Sequence, residues 1–259
     1  MILSSPGAVA FLIFGFPVYY YGITMACALL AGYFTADFLG KKIYSINLDD
    51  FFIPLVLIGF LGARLYYCFL NWGYYGQNLI QILNFRGGGL SIHGGIFASA
   101  IFLFCYCKYK KNSFWNITAP LCVALPLAQS IGRWGNFFNS EAFGRPFDGL
   151  IKLYVPQYLR PVEFKQFDYF HPTVLYESIA DILIFIILLW CIKRKQNPMF
   201  VTCLYLILYS VVRIFIEIIR IDSVFSPFGI PIAIIISSLI FIFALVGLIL
   251  SKKFIKIDL

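Results

Sequence analysis

At 259 residues, 61% hydrophobic, 19% aromatic and only 12% charged, the chain is too apolar for a soluble domain, where roughly half the residues are apolar and about a quarter charged. It reads as an all-α integral membrane protein. The formal net charge of +8 is mainly a topology signal, because the basic residues cluster between apolar segments, and no nucleic-acid partner is expected.

Residues 1–40 contain no Lys or Arg, so the positive n-region of a cleavable signal peptide is missing and none is expected. An apolar run at 11–16, cut off by Pro17, suits a short segment lying in the membrane interface. Stretches of the length needed to cross the hydrocarbon core then fall near 18–39, 50–71, 90–107, 115–134, 173–192, 199–218 and 230–250, predicting seven transmembrane helices. Eleven of the twenty basic residues gather as Lys41 and Lys42; Lys108, Lys110 and Lys111; Lys193, Arg194 and Lys195; and Lys252, Lys253 and Lys256. All four clusters share one side if the N-terminus is outside and the C-terminus cytoplasmic. The stretch at about 135–172, rich in Pro, Gly, charges and aromatics, reads as a small extracytoplasmic cap on a single domain spanning 1–259. Most of the seven cysteines fall inside spans, where Cys behaves as a small hydrophobe; neither a disulfide framework nor a metal site is read into them.

With that topology, the charges outside the cytoplasmic loops collect in the outer part of the membrane. Arg64 sits about 10 Å from the outer end of the second span, His93 opens the third, Arg133 and Asn136 close the fourth, and Glu177 begins the fifth. Tyr209, Arg213, Glu217 and Arg220 form one polar stripe on the sixth, since residues three or four apart share a helix face. Ionisable groups at such depth need partners and mark functional sites. Arg133, Arg213 and Arg64 are expected to face Glu141, Glu217 and Glu177, in unspecified pairings. The glycines of GGGLSIHGGIFA at 87–98 either let backbone approach a ligand closely or serve helix packing. His171, just before Pro172, either acts in the site or simply bonds the loop.

Arginine forks fit phosphate, and a histidine titrates near neutrality, so the constellation suits chemistry on an anionic phospholipid. A transporter is the main alternative, although transporters place polar groups near the midplane and often show repeats. An intramembrane protease built on Ser91 and a purely structural role are further readings.

GRWGNFFNSEAFG at 132–144 resembles the signature of the prolipoprotein diacylglyceryl transferases, in the pattern G-R-x-G-N-F-x-N-x-E-x-x-G. LGARLYY at 61–67, the His93 segment, HPTVLYES at 171–178 and the Arg213 to Glu217 stripe also match, in order. The resemblance implies seven spans, a bacterial cytoplasmic (inner) membrane location, and an active site toward the extracytoplasmic leaflet. It implies transfer of the diacylglyceryl group of phosphatidylglycerol to the lipobox cysteine of a prolipoprotein signal peptide, with release of glycerol phosphate and without cofactor or metal. Membrane lipids are the surroundings of both substrates. Carried over by motif, the functional positions are Tyr21, His93, Arg133, Asn136, Glu141, Gly144, Tyr209, Arg213 and Glu217. Here YYYG stands at 19–22 where the family often has Trp before Tyr-Gly, so the choice of Tyr21 over Tyr20 rests on Gly22.

Expected roles follow from the chemistry of thioether formation. His93 is the base toward the thiol, and Arg133 with Arg213 clamps the phosphate. Glu141 and Glu217 hold the arginines, Asn136 orients the headgroup, and Gly144 permits a turn. Tyr21 donates to an ester or phosphate oxygen, while Tyr209, Gly94 and Gly95 line the substrate site.

Overall fold

The structure is a computed structural model that describes residues 1–85, 88–226 and 228–255. Among the described residues, seven helices are long and apolar enough to cross a membrane: Tyr20–Tyr44, Phe52–Leu70, Ile92–Lys110, Phe114–Phe138, Thr173–Lys193, Pro198–Ile219 and Ile232–Ser251. Each coincides with a predicted span, with ends shifted by no more than five residues. The α-helices are α1 (Tyr20–Leu39), α2 (Phe52–Leu70), the short α3 (Trp72–Tyr75), α4 (Ile92–Lys110), α5 (Phe114–Phe138), α6 (Thr173–Lys193), α7 (Pro198–Ile219) and α8 (Ile232–Ile255). Boundary chemistry accounts for several ends. Pro198 opens α7 where its missing N–H is not needed, and the Asn197 side chain caps the first turn by accepting from Met199 N at 2.8 Å.

The apolar run before the first span is a β-hairpin. β1 (Ile2–Ser4) is followed by β2 (Val9–Ile13) and β3 (Phe16–Tyr19), and the last two pair antiparallel. Phe14 and Gly15 make the turn with φ of 48° and 82°, the left-handed pair that a two-residue hairpin needs. Tyr20 N donates to Ala8 O at 2.9 Å, fastening the hairpin to the start of α1.

The chain forms two compact units, residues 1–36 with 118–259, and residues 37–117. In the first, hydroxyls and amides link neighbouring helices: Ser130 and Ser178 at 2.8 Å between α5 and α6, Thr118 and Thr202 at 3.2 Å between α5 and α7. Tyr205 on α7 donates to Gln129 on α5 at 3.2 Å. Such contacts fix helix rotation where lipid offers no hydrophobic drive. Pro120 and Pro126 lie inside α5 without ending it, as packed membrane helices allow.

The 139–172 connection folds over the end of α5. β4 (Lys152–Tyr154) lies between β1, its parallel partner, and β5 (Tyr169–Phe170), its antiparallel one. Beneath this sheet Phe137, Phe143, Leu153, Val155, Phe170 and Val174 make a buried cluster. Arg160 staples the loop by donating to Val155 O at 2.7 Å and Lys165 O at 3.0 Å, and by pairing with Asp168 at 2.7 Å.

In the second unit α2 packs along α4. Gly62 and Gly94 face one another so closely that a Cβ on either would strike the other helix's backbone, and Gly95 sits on Gly59 O in the same seam. Gly94 and Gly95 thus serve helix packing. At the other end of this unit Asp37 accepts from Leu48 N at 3.2 Å and pairs with Lys41 at 2.7 Å.

Candidate active site

Three helices of the first unit bring the predicted arginines together. Arg133 projects from the last turns of α5, Glu177 from the second turn of α6, and Arg213 and Glu217 from one face of α7. Glu177 is the shared partner. One carboxylate oxygen pairs with Arg133 Nε, while the other lies 3.6 Å from Arg213 Nη1 and 3.8 Å from Arg220 Nη1. Arg213 Nη2 pairs with Glu217 at 2.6 Å, one helical turn along. Arg220 in turn grips Asp222 with two bonds of 2.9 and 2.7 Å.

Three guanidinium groups therefore meet three carboxylates, of which Glu177 and Glu217 are buried and Asp222 is exposed. The arginine side chains are 19%, 18% and 13% exposed, against 5% for Glu177 and 2% for Glu217. The arginines are only partly buried, and Glu177 and Glu217 lie deeper than they do. Arg213 Nη1 forms no hydrogen bond among the described residues, since 3.6 Å is a charge contact. This nitrogen is itself buried, and an unused donor of this kind can take an anionic oxygen that reaches it. A turn below Glu177, Asp181 is 1% exposed.

The expected pairings are corrected here. Glu141 is exposed and holds amides, accepting from Asn136 Nδ2 at 2.8 Å and Asn139 Nδ2 at 3.3 Å. Glu177, not Glu141, is the carboxylate that pairs with Arg133. Among the described residues Arg64 meets no carboxylate: it belongs to the second unit and bonds only backbone carbonyls there. Glutamate at 177 was visible in sequence but not marked as the centre, and Arg220 was seen only as the end of a stripe. Spacing along one helix reports neighbours on that helix and is silent on those across the bundle.

The signature's last residues form an unusual turn. After α5, Glu141 N returns to Asn136 O at 3.0 Å, and Ser140 and Ala142 take φ of 52° and 59°, a left-handed conformation uncommon for residues with a Cβ. Thr173 Oγ1 holds Ala142 O. Gly144 then runs beside α7's end, bridged to Arg220, with its N donating to His171 O at 3.0 Å. A Cβ at Gly144 would sit 2.8 Å from both His171 Cβ and Ile219 Cγ2, so only glycine lets the turn close. His171 stacks on Phe147 at 3.8 Å between centroids, and burial lowers its imidazole below the usual value. It bonds the loop.

Tyr20 stacks on Phe138 at 4.3 Å, whereas Tyr21, 38% exposed, and Tyr19 face open space. Tyr21 lines a cavity of about 610 Å³ with Ala8, Val18, Ile23 and Asn139. Tyr209 stacks on Tyr205 at 5.9 Å. His93 is exposed on the first turn of α4 in the second unit.

Seven apolar helices and a cluster of partly buried arginines around buried carboxylates define a polytopic membrane protein. The chain belongs to the prolipoprotein diacylglyceryl transferase family, whose profile matches residues 8–250, and it is accordingly a transferase. It is 42% identical over 229 residues to the phosphatidylglycerol–prolipoprotein diacylglyceryl transferase of Synechocystis sp., covering 85% of this chain and 81% of the relative. The enzyme of the same name from Thermotoga maritima is 43% identical over 219 residues, 82% of this chain and 74% of that one.

Proposed function

We propose that this protein transfers the diacylglyceryl group of phosphatidylglycerol to the lipobox cysteine of a prolipoprotein, in a bacterial cytoplasmic membrane, as a single catalytic domain with its cap and site on the extracytoplasmic side. One S–C bond forms and one glycerol C–O bond breaks. The electron pair of that C–O bond stays with the phosphate, which leaves as the glycerol phosphate monoester dianion, and the thiol proton passes to a base and on to the departing phosphate. A free thiol near pH 7 is only a few per cent thiolate, so a base raises the reactive fraction. His93 fills that role in this reading.

The observation that carries the proposal is the set of partly buried arginines around Glu177, with one buried donor of Arg213 free of hydrogen bonds among the described residues. Charge gathers on the departing phosphate oxygen as the C–O bond stretches, and fixed guanidinium donors stabilise it more than the ground-state diester. Glu177 and Glu217 hold the two forks in place. Asn136 and Asn139 fix Glu141 beside the turn, and Tyr21 offers a phenol to an ester or phosphate oxygen.

Incubating the purified protein with phosphatidylglycerol and a lipobox peptide tests the reading. A peptide mass gain of one diacylglyceryl group with equimolar glycerol phosphate is expected. Ion flux through reconstituted vesicles without either product would sink it in favour of a transporter.

A further inference from the structure

Arg64, in the fourth turn of α2, is 2% exposed. Its five N–H donors reach five backbone carbonyls of one loop: Nε to Ile82 at 2.9 Å, Nη1 to Gly88 and Gly89 at 2.6 and 3.0 Å, Nη2 to Gln81 and Asn84 at 2.6 and 2.9 Å. A guanidinium has five N–H bonds, and all are used. The Tyr75 and Phe85 rings lie 5.2 and 5.7 Å from its centre, within cation–π range. A buried cation compensated by dipoles and ring faces instead of a carboxylate is a costly choice on a helix whose other buried residues are Ala63 and Cys68. An apolar residue would pack there at less cost, but no other side chain joins so many carbonyls.

The same loop is fastened to α2 twice more. Ser91 N donates to Ala63 O at 3.0 Å. Gly89, with φ of 77°, lies so near that a Cβ would come within 2.6 Å of the Tyr67 ring and 2.8 Å of Arg64 Nη1. Phe85 also stacks on Phe60 of α2 at 5.1 Å, while Leu79, Ile80, Leu83 and Leu90 are exposed, so Arg64 is the central one of a few attachments. Its end leads directly into α4, with His93 two residues beyond Ser91.

We infer that Arg64 is a positioning residue: it holds residues 79–85 and 88–91 on α2 and thereby fixes His93 at the start of α4. The link to turnover rests on the base role proposed above for His93; the anchor itself does not. Two variants of the full-length purified protein address it, Arg64→Lys, which keeps the charge but offers three donors, and Gly89→Ala, which strikes the same anchor from the loop side. Amide exchange and steady-state kinetics are measured on each. Exchange across 79–85 and 88–91 is expected to rise about tenfold or more while the interiors of α2 and α4 stay protected. The kcat is expected to fall about tenfold with KM for phosphatidylglycerol within about twofold, and the acid limb of the pH–rate profile to move. Unchanged exchange in both variants overturns the anchor. Raised exchange with unaltered kcat, or loss of the folded protein in both, overturns the positioning role. If the wild type forms no thioether, the transferase reading fails, and the exchange data still decide the anchor.

Discussion

Glu177 is one carboxylate among three arginines, so it decides the geometry of the whole cluster. Replacing it with Gln keeps the shape and removes the charge, leaving Arg133, Arg213 and Arg220 to repel one another in a poorly solvated site. Breaking one side of a buried pair costs on the order of 3–5 kcal/mol, at the low end here because the arginines are partly open. Glu177→Gln is therefore expected to lower the midpoint of thermal unfolding in detergent by several degrees and to reduce turnover at least tenfold. Arg133→Lys asks a different question, since it keeps a cation but loses the planar fork. Its kcat/KM for phosphatidylglycerol is expected to fall by ~10-fold or more; near-normal kinetics would count against two-point binding of phosphate.

Among the elements, the turn joining α5 to the cap carries most of the signature. It was legible as a string of the family type, yet its shape was not, because left-handed residues such as Ser140 and Ala142 carry no sequence mark of their kind. Gly144→Ala is expected to be expressed but destabilised, by about 1–3 kcal/mol for overpacking, and to lose activity as Arg220 and His171 are pushed apart; thermal unfolding and the transfer assay check both. His171 supplies a pH test of the same turn. Burial lowers its imidazole below the usual value, so the folded state binds fewer protons than the unfolded one near and below that value. Its contribution to stability is complete above about pH 6.5 and declines as the pH falls below it. His171→Phe preserves the ring stack on Phe147 and is expected to flatten that decline in unfolding midpoints measured from pH 5 to 7.

For the whole molecule, the proposed orientation makes a direct prediction. Tyr158, 83% exposed in the cap, and Lys110, exposed at the far end of α4, fall on opposite sides of the membrane. In intact cells a membrane-impermeant maleimide is expected to label Tyr158→Cys and to leave Lys110→Cys unlabelled until the membrane is opened. The reverse pattern would turn the molecule over and move its site to the cytoplasmic side.

Number and placement of the spans were open to reading from the chain alone, because crossing a bilayer demands about 20 apolar residues wherever it happens, and no tertiary contact relaxes that demand. The i, i+4 pair of Arg213 and Glu217 was equally open, being a property of one helix. Which arginine meets which acid was decided only in three dimensions. Helix rotation is set by packing, through small residues at the α2 and α4 seam and hydroxyl contacts among α5, α6 and α7, and that rotation sent Arg133 to Glu177. Arg64 went to a ring of carbonyls for the same reason: its neighbours are loop backbone, and backbone dipoles are common to every sequence, so nothing in the order of residues distinguishes them.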